Sequence, residues 1–561
     1  MMKKVLRVTS MVAVLTFSSS LPFTGGIYQE KAYSCEDQSE FTPYYGKGPS
    51  YVQPENIAHL FPKPAMQFQT PGFEKGKVAF TSQEEMMSFL KKLANKNKQV
   101  HLDIIGKSLE GRDIPILVFS TDKLKEVKNN SKKPLVWIQG QIHGNEPAAS
   151  ESNLVVAQLL AEGKLGDVLD KVNVVIVPRI NPDGSYYFQR QIATNLDANR
   201  DYMKVEYPEV QAVFKAFNEY QPEVVLDAHE YTVNSSSLKP YGEKGSVSSY
   251  DLLISSAKNL NIPEQLRNAS DQLLLPEVQK ELDKEKLTHY DYYTLSTNKD
   301  GKLVATEGST ETRNGRNALG LKNTLTYLIE TRGINIGRAD FERRVYAQTI
   351  AQTNFITATA KNAQTIKNLV KDAREEVIAK GKRVNDNDKI VIQSKNKLIK
   401  DQTLVVVDLA KGERTAIPID WVDSTEAYAT LERERPTAYI MPPAYHDIAR
   451  KLQILGVEVK KLDKPVTLSI ESYKVTNNKV STTLENGHYT KEVTTEISTK
   501  NKQFPKGSYV FSMAQANANF IASALEPESI DSYVTFNFIP VQKGDEIPIY
   551  RYLKEDKLLV K

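Results

Sequence analysis

Two short stretches of this chain carry the residue types of a metal centre. His143 and Glu146 stand in Ile142-His143-Gly144-Asn145-Glu146, and His229 stands in Leu226-Asp227-Ala228-His229-Glu230. Two imidazoles and one carboxylate, with a fourth position open, form the ligand set of a catalytic zinc site. A lone H-x-x-E pattern arises by chance in a chain of 561 residues, so the weight lies in its setting. Leu135-Val136-Trp137-Ile138 is a short apolar run that reads as a buried strand ahead of the first pair. Pro147 opens a helical pattern with Leu154, Val155, Leu159 and Leu160 apolar. Val224-Val225-Leu226 is a second such run, directly before Asp227 and His229. Polar residues between a strand end and a helix start sit where open α/β sheets place their sites. Either histidine alone reads fairly as a satisfied core residue; the two together favour the metal.

The elements between and beyond these stretches supply further candidates. Val174-Val175-Ile176-Val177 reads as a buried strand, and Asn181-Pro182-Asp183-Gly184 is expected to stop it and turn the chain. Arg200, in Asp197-Ala198-Asn199-Arg200-Asp201, offers a planar fork that matches a carboxylate bidentately. Its plain alternative is a surface arginine paired with Asp197 or Asp201. Glu330 follows Leu325, Tyr327, Leu328 and Ile329, so a strand would partly desolvate its carboxylate and raise its pKa into the range of a working base. Its plain alternative is an exposed glutamate paired with Arg332.

Taken in order, His143-x-x-Glu146, Asn181-Pro182-Asp183-Gly184, Asp197-Ala198-Asn199-Arg200, His229 and Glu330 in Ile329-Glu330-Thr331-Arg332-Gly333 resemble the zinc carboxypeptidase family (the carboxypeptidase A superfamily). Upstream, Gly106-Lys107-Ser108-Leu109-Glu110-Gly111-Arg112 is similar to the family's opening strand and turn, and the likeness runs over about residues 78–360. It implies an α/β catalytic domain, a mixed sheet flanked by helices, holding one zinc ion per chain on His143, Glu146 and His229. It further implies that Asn199 and Arg200 bind the substrate's terminal carboxylate, that Glu330 is the general base activating a zinc-bound water, and that Arg190 polarises the scissile carbonyl. Arg190 lies nearer to Asn181 than the family pattern suggests. Two places depart from the family. Asn145 stands where an arginine often precedes the ligand glutamate. No tyrosine lies between Thr294 and Thr326, which leaves Tyr290, Tyr292 and Tyr293 as candidates for the mobile tyrosine.

The polar, tyrosine-bearing segment between His229 and Glu330 is expected to shape the substrate pocket. Gly315 and Gly320 suggest a tight loop there. Arg316 stands fourteen positions before Glu330, near where the family's specificity residue tends to fall, which implies a substrate with an acidic or polar side chain. The plain alternative pairs Arg316 with Glu311.

Composition is that of a globular protein, 40% hydrophobic and 25% charged, with a formal charge of +4. Most of that charge lies in the first 34 residues, so nothing points to nucleic acid. Lys3, Lys4 and Arg7, an apolar run from Val8 to Phe23 and Ala32-Tyr33-Ser34 read as a secretory signal peptide over residues 1–34. That run is short for a membrane span. Cys35 is the single cysteine, so no internal disulfide forms; a lipid anchor on it is disfavoured by Tyr33, a poor lipobox residue. Export without disulfides suits a bacterium.

Residues 35–77 read as an extended, proline-bearing lead-in that could act as an inhibitory pro-segment, and 78–381 as the catalytic domain. Ser82 and Glu85 have capping-box spacing. A single helix is expected from Ala339 to Lys380. Beyond the polar linker Arg383–Lys389, residues 390–561 read as an α+β accessory domain similar to the extension of some bacterial family members. Its strands are expected at Ile390–Ile392, Thr403–Val407, Thr437–Met441, Val466–Ile470, Tyr509–Phe511 and Tyr533–Phe536, with a helix at Asp447–Leu455. The expected function is that of a secreted, monomeric zinc carboxypeptidase acting on peptides. The alternatives are an amidohydrolase that cleaves a small N-acyl amino acid or a cell-wall peptide on the same scaffold, and a binding protein without turnover.

Overall fold

The computed structural model describes residues 50–128, 131–555, 558 and 560. The signal-peptide reading, Cys35 and residues 35–49 of the lead-in lie outside the described residues.

The chain builds a mixed eight-stranded sheet in the order Val100–Lys107, Asp113–Phe119, Asn173–Val177, Leu135–Gly140, Val224–Thr232, Leu325–Ile334, Leu252–Ser256, His289–Asp291. The four strands from Asn173–Val177 to Leu325–Ile334 run parallel to their neighbours; Asp113–Phe119 and Leu252–Ser256 meet this group antiparallel. Leu135–Gly140 and Asn173–Val177 are buried at every position, which explains their unbroken apolar runs: a central parallel strand is covered on both faces. Helices Pro147–Ala161 and Phe341–Lys361 pack on each other and on this sheet, while Pro208–Tyr220 packs on its first strand. Trp137 meets Phe217 edge-on at 5.3 Å between centroids.

The helix Gln83–Lys96 begins as its spacing predicts. The Ser82 side chain accepts the Glu85 N–H and the Glu85 carboxylate accepts the Ser82 N–H. The expected helix from Ala339 to Lys380 is instead two helices, Phe341–Lys361 and Ala363–Lys380. Asn362 breaks it: its side-chain amide donates back to the Ala358 carbonyl (2.9 Å), the local competition that asparagine offers a helix.

Two further sheets follow. Lys389–Asp408 and Glu413–Glu434 form a long hairpin that pairs with Ser246–Ser248 on one side and Leu303–Thr306 on the other, so strands from before and after the helices Phe341–Lys361 and Ala363–Lys380 share one sheet. The six-stranded sheet runs Lys460–Lys461, Tyr509–Ser512, Ala438–Met441, Glu546–Tyr552, Val466–Glu485, His488–Phe504. The runs Ile390–Ile392 and Thr403–Val407 belong to one strand, because polar residues between them stay paired with the hairpin partner. Tyr533–Phe536 is a buried turn rather than a strand: the Ser532 hydroxyl accepts the Thr535 N–H, and Asn537 takes φ +61°. The described lead-in packs through Phe61, under the Arg332 guanidinium at 3.6 Å, and Phe73, stacked on Phe341 at 5.1 Å. No described helix is long and apolar enough to cross a membrane.

Ser82→Ala removes one half of the capping box and is expected to lower stability by about 1 kcal/mol, read from the urea midpoint of the full chain; an unchanged midpoint would make the cap dispensable.

Candidate metal centre and substrate cavity

Parallel pairing sets the geometry. Leu135–Gly140, Val224–Thr232 and Leu325–Ile334 are neighbours and end on the same side, so the segments leaving them converge. His143 and Glu146 follow the first, His229 lies in the second, and Glu330 in the third is the register partner of His229.

His143, Glu146 and His229 are buried and close on one point. His143 Nδ1 lies 2.7 Å from Glu146 Oε1, His229 Nδ1 lies 3.0 Å from Glu146 Oε2, and the two Nδ1 atoms are 3.2 Å apart. Two donors about 2.1 Å from a tetrahedral ion stand about 3.4 Å apart, so this spacing fits a shared zinc. The electrostatics agree. Burial opposes charge on each group, yet Asp227 and Glu146 raise the His229 pKa well above its usual value, and His143 and His229 hold Glu146 well below the carboxylate range. The centre favours positive charge at that point.

The remote imidazole nitrogens have their own partners. His143 Nε2 is 3.2 Å from Asp197 Oδ1. His229 Nε2 is 3.3 Å from Asp227 Oδ2, an ion-pair approach too poorly aligned for a hydrogen bond. Gln139 Nε2 donates to Asp227 Oδ1 at 3.0 Å and to the Tyr202 hydroxyl at 2.9 Å, holding that carboxylate in place. Carboxylates behind metal-bound histidines fix ring orientation and basicity. Asp197 and Asp227 were visible in the motifs, but their partnership with the imidazoles is a matter of orientation, which spacing does not encode.

Asn181-Pro182-Asp183-Gly184 is not the expected turn. It starts a short helix, Pro182–Tyr187, with the Asn181 side chain accepting the Gly184 N–H at 2.7 Å. The same side chain donates to the Ile142 carbonyl at 3.0 Å, one residue before the candidate ligand His143. Gly144 is required by contact, since a Cβ there would fall 1.8 Å from the Gly184 carbonyl carbon. Asp183 accepts the Ser108 hydroxyl and the Glu110 N–H, so the upstream turn, this helix and the metal loop interlock.

The centre opens into a cavity of about 790 Å³ whose lining includes His143, Glu146, Arg190, Asn199, Arg200, Arg316 and Glu330. His229 sits behind that wall. Arg190 donates to Asp197 Oδ2 through Nε (3.1 Å) and Nη2 (2.9 Å), and its Nη1 lies 3.6 Å from Glu146 Oε1. Its nearness in sequence to Asn181 is therefore no obstacle to reaching the centre. Asn199 accepts the Gly315 N–H at 2.8 Å. Arg200 donates to the Asn199 carbonyl at 3.0 Å and, among the described residues, forms no ion pair with Asp197 or Asp201. Glu330 is buried, its carboxylate has no protein hydrogen bond among the described residues, and burial pushes its pKa up to about 7. Arg332, its plain alternative partner, instead pairs with Asp340 at 2.8 Å.

Residues 315–320 are a helix rather than the expected tight loop, begun by the Asn314 side chain, which accepts the Asn317 N–H. Neither glycine has positive φ; each marks a close approach. A Cβ on Gly315 would meet Asp227 Oδ2 at 2.8 Å, and one on Gly320 would meet Ala257 Cβ at 2.6 Å. Arg316 is buried in the cavity wall, donating to the Ser255 hydroxyl (2.9 Å) and the Ser309 carbonyl (2.8 Å). Among the described residues no carboxylate lies within 4 Å of it, and Glu311 instead faces Arg313. Of the three tyrosine candidates, Tyr292 and Tyr293 line the cavity, whereas Tyr290 stacks on Tyr250 at 5.0 Å.

The family described as zinc carboxypeptidase matches residues 86–336. The chain is 34% identical over 488 residues to carboxypeptidase 2 of Trichophyton rubrum, spanning 86% of this chain and 88% of that protein. It is 31% identical over 143 residues to carboxypeptidase Z of Rattus norvegicus, 22% of each. A solved carboxypeptidase A from Helicoverpa armigera aligns with a TM-score of 0.37 at 19% identity, over 51% of this chain and 75% of that one.

Asp227→Asn should weaken zinc binding by about ten- to a hundredfold, measured by competition with a chelating dye; wild-type affinity would show that Asp227 does not tune His229.

Proposed function

The chain belongs to the zinc carboxypeptidase family, and from that premise we propose that it is a secreted enzyme that removes the C-terminal residue of peptides, with His143, Glu146 and His229 as its zinc ligands. The observation that carries this reading is the meeting, at one cavity, of that buried triad with Glu330 in register beside His229 and with Arg190, Asn199 and Arg200 on the walls. Secretion rests on the leader in the sequence. The relatives that match most of the chain are fungal, so the bacterial reading rests on the leader and the cysteine count alone.

Zinc, when bound, supplies Lewis acidity toward the scissile carbonyl and lowers the pKa of a water molecule from 15.7 to about 7. The protein's own groups do the rest. Arg200 and the Asn199 amide receive the terminal carboxylate, and the guanidinium fork gives that contact its geometry. The Arg190 guanidinium, held by Asp197, faces the carbonyl oxygen as it gains charge. The Glu330 carboxylate takes a proton from water and returns it to the leaving amine. Arg316, buried without a counter-charge, favours an acidic side chain on the departing residue.

Mass spectrometry of a mixed peptide pool incubated with zinc-loaded protein tests the reading: single-residue losses from C-termini are expected, and an untouched pool would redirect it to the amidohydrolase alternative. Glu330→Gln should abolish turnover and keep zinc. Because Glu330 must be ionised, kcat/KM should fall as pH drops through its pKa. Burial raises that pKa toward about 7 and a nearby dication lowers it, so the acid limb should lie between the ordinary carboxylate range and 7. Retained activity in Glu330→Gln, or an acid limb unchanged in any residual activity, would remove the base assignment. C-terminal Glu should leave faster than Phe, and Arg316→Met should cost Glu release about ten- to a hundredfold; faster Phe release by the wild type would sink the role given to Arg316.

A further inference from the structure

The antiparallel strands Val466–Glu485 and His488–Phe504 form a long hairpin in the last third of the chain, and its tip reaches the loop of Asp197 beside the candidate metal centre. The tip is Asn486-Gly487, with φ +48° and +89°, the favoured pair for a two-residue hairpin turn. Asn486 does more than allow the turn. Its Oδ1 accepts the Asp197 N–H at 2.6 Å, and its Nδ2 donates to the Asp197 carbonyl at 3.0 Å. One side chain thus satisfies both backbone groups of a single residue, 289 positions away in sequence.

That residue is the hub of the site. The Asp197 carboxylate meets His143 Nε2, accepts two donors from Arg190, and caps the turn Ala198–Arg200 by accepting the Asn199 N–H at 2.8 Å. The segment leading into it is irregular, with Asn195 at φ +60°. The tip is anchored on both flanks. Glu485 Oε1 lies 3.1 Å from Arg313 Nη1, and His488 Nε2 lies 2.8 Å from Glu206 Oε2. Arg313 is in turn held by Asp531 through its N–H and Nε, immediately before Asn314 and Arg316. The C-terminal β-region therefore holds Asp197 and Arg313, which adjoin the cavity-lining residues Asn199 and Asn314.

We infer that the turn Glu485–His488 is a positioning element of the site, and that Asn486 is the positioning residue that sets the segment Asp197–Arg200 against the metal and the substrate's terminal carboxylate. The last clause rests on the reading of Asn199 and Arg200 given above. A wrong placement of about 1 Å in such a fork costs up to a hundredfold in rate.

The alternative is that Asn486 serves the turn alone. Asn486→Gly separates the two, because glycine adopts positive φ freely and keeps the turn while deleting both bonds. Asn486→Asp is the second variant: it keeps the turn preference and the acceptor for the Asp197 N–H but loses the donor to the carbonyl. Hydrogen exchange of the full-length protein followed by mass spectrometry reads the segment directly, whether or not peptide is cleaved. Exchange over residues 195–201 should quicken at least about tenfold in Asn486→Gly, and less but more than about twofold in Asn486→Asp, which keeps the bond to the Asp197 N–H, while strand Leu135–Gly140 is unchanged. Steady-state kinetics should show KM for a C-terminal peptide rising about tenfold, more than kcat falls, whereas loss of folded protein alone would lower kcat and leave KM. Exchange within twofold of wild type over 195–201 would overturn the proposal. If Asn486→Gly fails to fold, Asn486→Asp decides by the same readings. Wild-type protein that removes no C-terminal residue would overturn the carboxylate-fork reading, and the exchange result would still decide the positioning role.

Discussion

Two imidazole nitrogens and a carboxylate, all buried and aimed at one point, form the constraint on which the rest of this structure depends. Buried groups of this kind at 3.2 Å and less are held together by shared positive charge, whether a proton on an imidazole or a metal ion. The surroundings answer that demand in layers. Asp197 and Asp227 stand behind the imidazoles, Gln139 and Tyr202 stand behind Asp227, and Arg190 spans Asp197 and the edge of Glu146. Each layer costs desolvation that the next one offsets with a hydrogen bond or a countercharge. Helix Phe341–Lys361 takes part, since Gln348 Nε2 donates to the His229 carbonyl and Arg344 pairs with Glu230.

The sheet converts that local demand into a cavity. Three adjacent parallel strands deliver their ends to one edge, and the His229–Glu330 register puts a buried carboxylate beside the candidate metal centre, with no hydrogen-bond partner among the described residues. Arg190, Arg200 and Arg316 surround the same space. Had Arg332 turned toward Glu330, an ion pair would have neutralised that carboxylate; its stacking on Phe61 and its bond to Asp340 hold it elsewhere.

The C-terminal β-region is tied to this edge by more than surface contact. One of its hairpins extends a sheet begun by Ser246–Ser248 and Leu303–Thr306, and the other ends on the loop of Asp197. Two buried carboxylates, Asp531 and Glu307, accept backbone N–H groups across the junction. Such bonds are made in low dielectric and hold position well.

Residue type and spacing were enough to read the strands that carry His143, Glu146, His229 and Glu330, the capping box at Ser82 and the mixed α/β class, and to single out the three side chains that the fold brings together as a possible metal-binding group, because these depend on local periodicity and on side-chain chemistry. The same reading erred where one residue type serves two physical ends. Gly315 and Gly320 stand for close contact inside a helix rather than for a turn, and Asn181 and Gly184 begin a helix rather than end a strand in a bend. Asn362 breaks a pattern that looks continuous, and Tyr533–Phe536 is apolar because it is buried, not because it is a strand. What only packing of the whole chain settled is which distant groups meet: Asp227 with His229, Arg190 with Asp197, and Asn486 with the backbone of Asp197. Those meetings depend on sheet order and side-chain direction across hundreds of residues, and a linear pattern carries no record of direction.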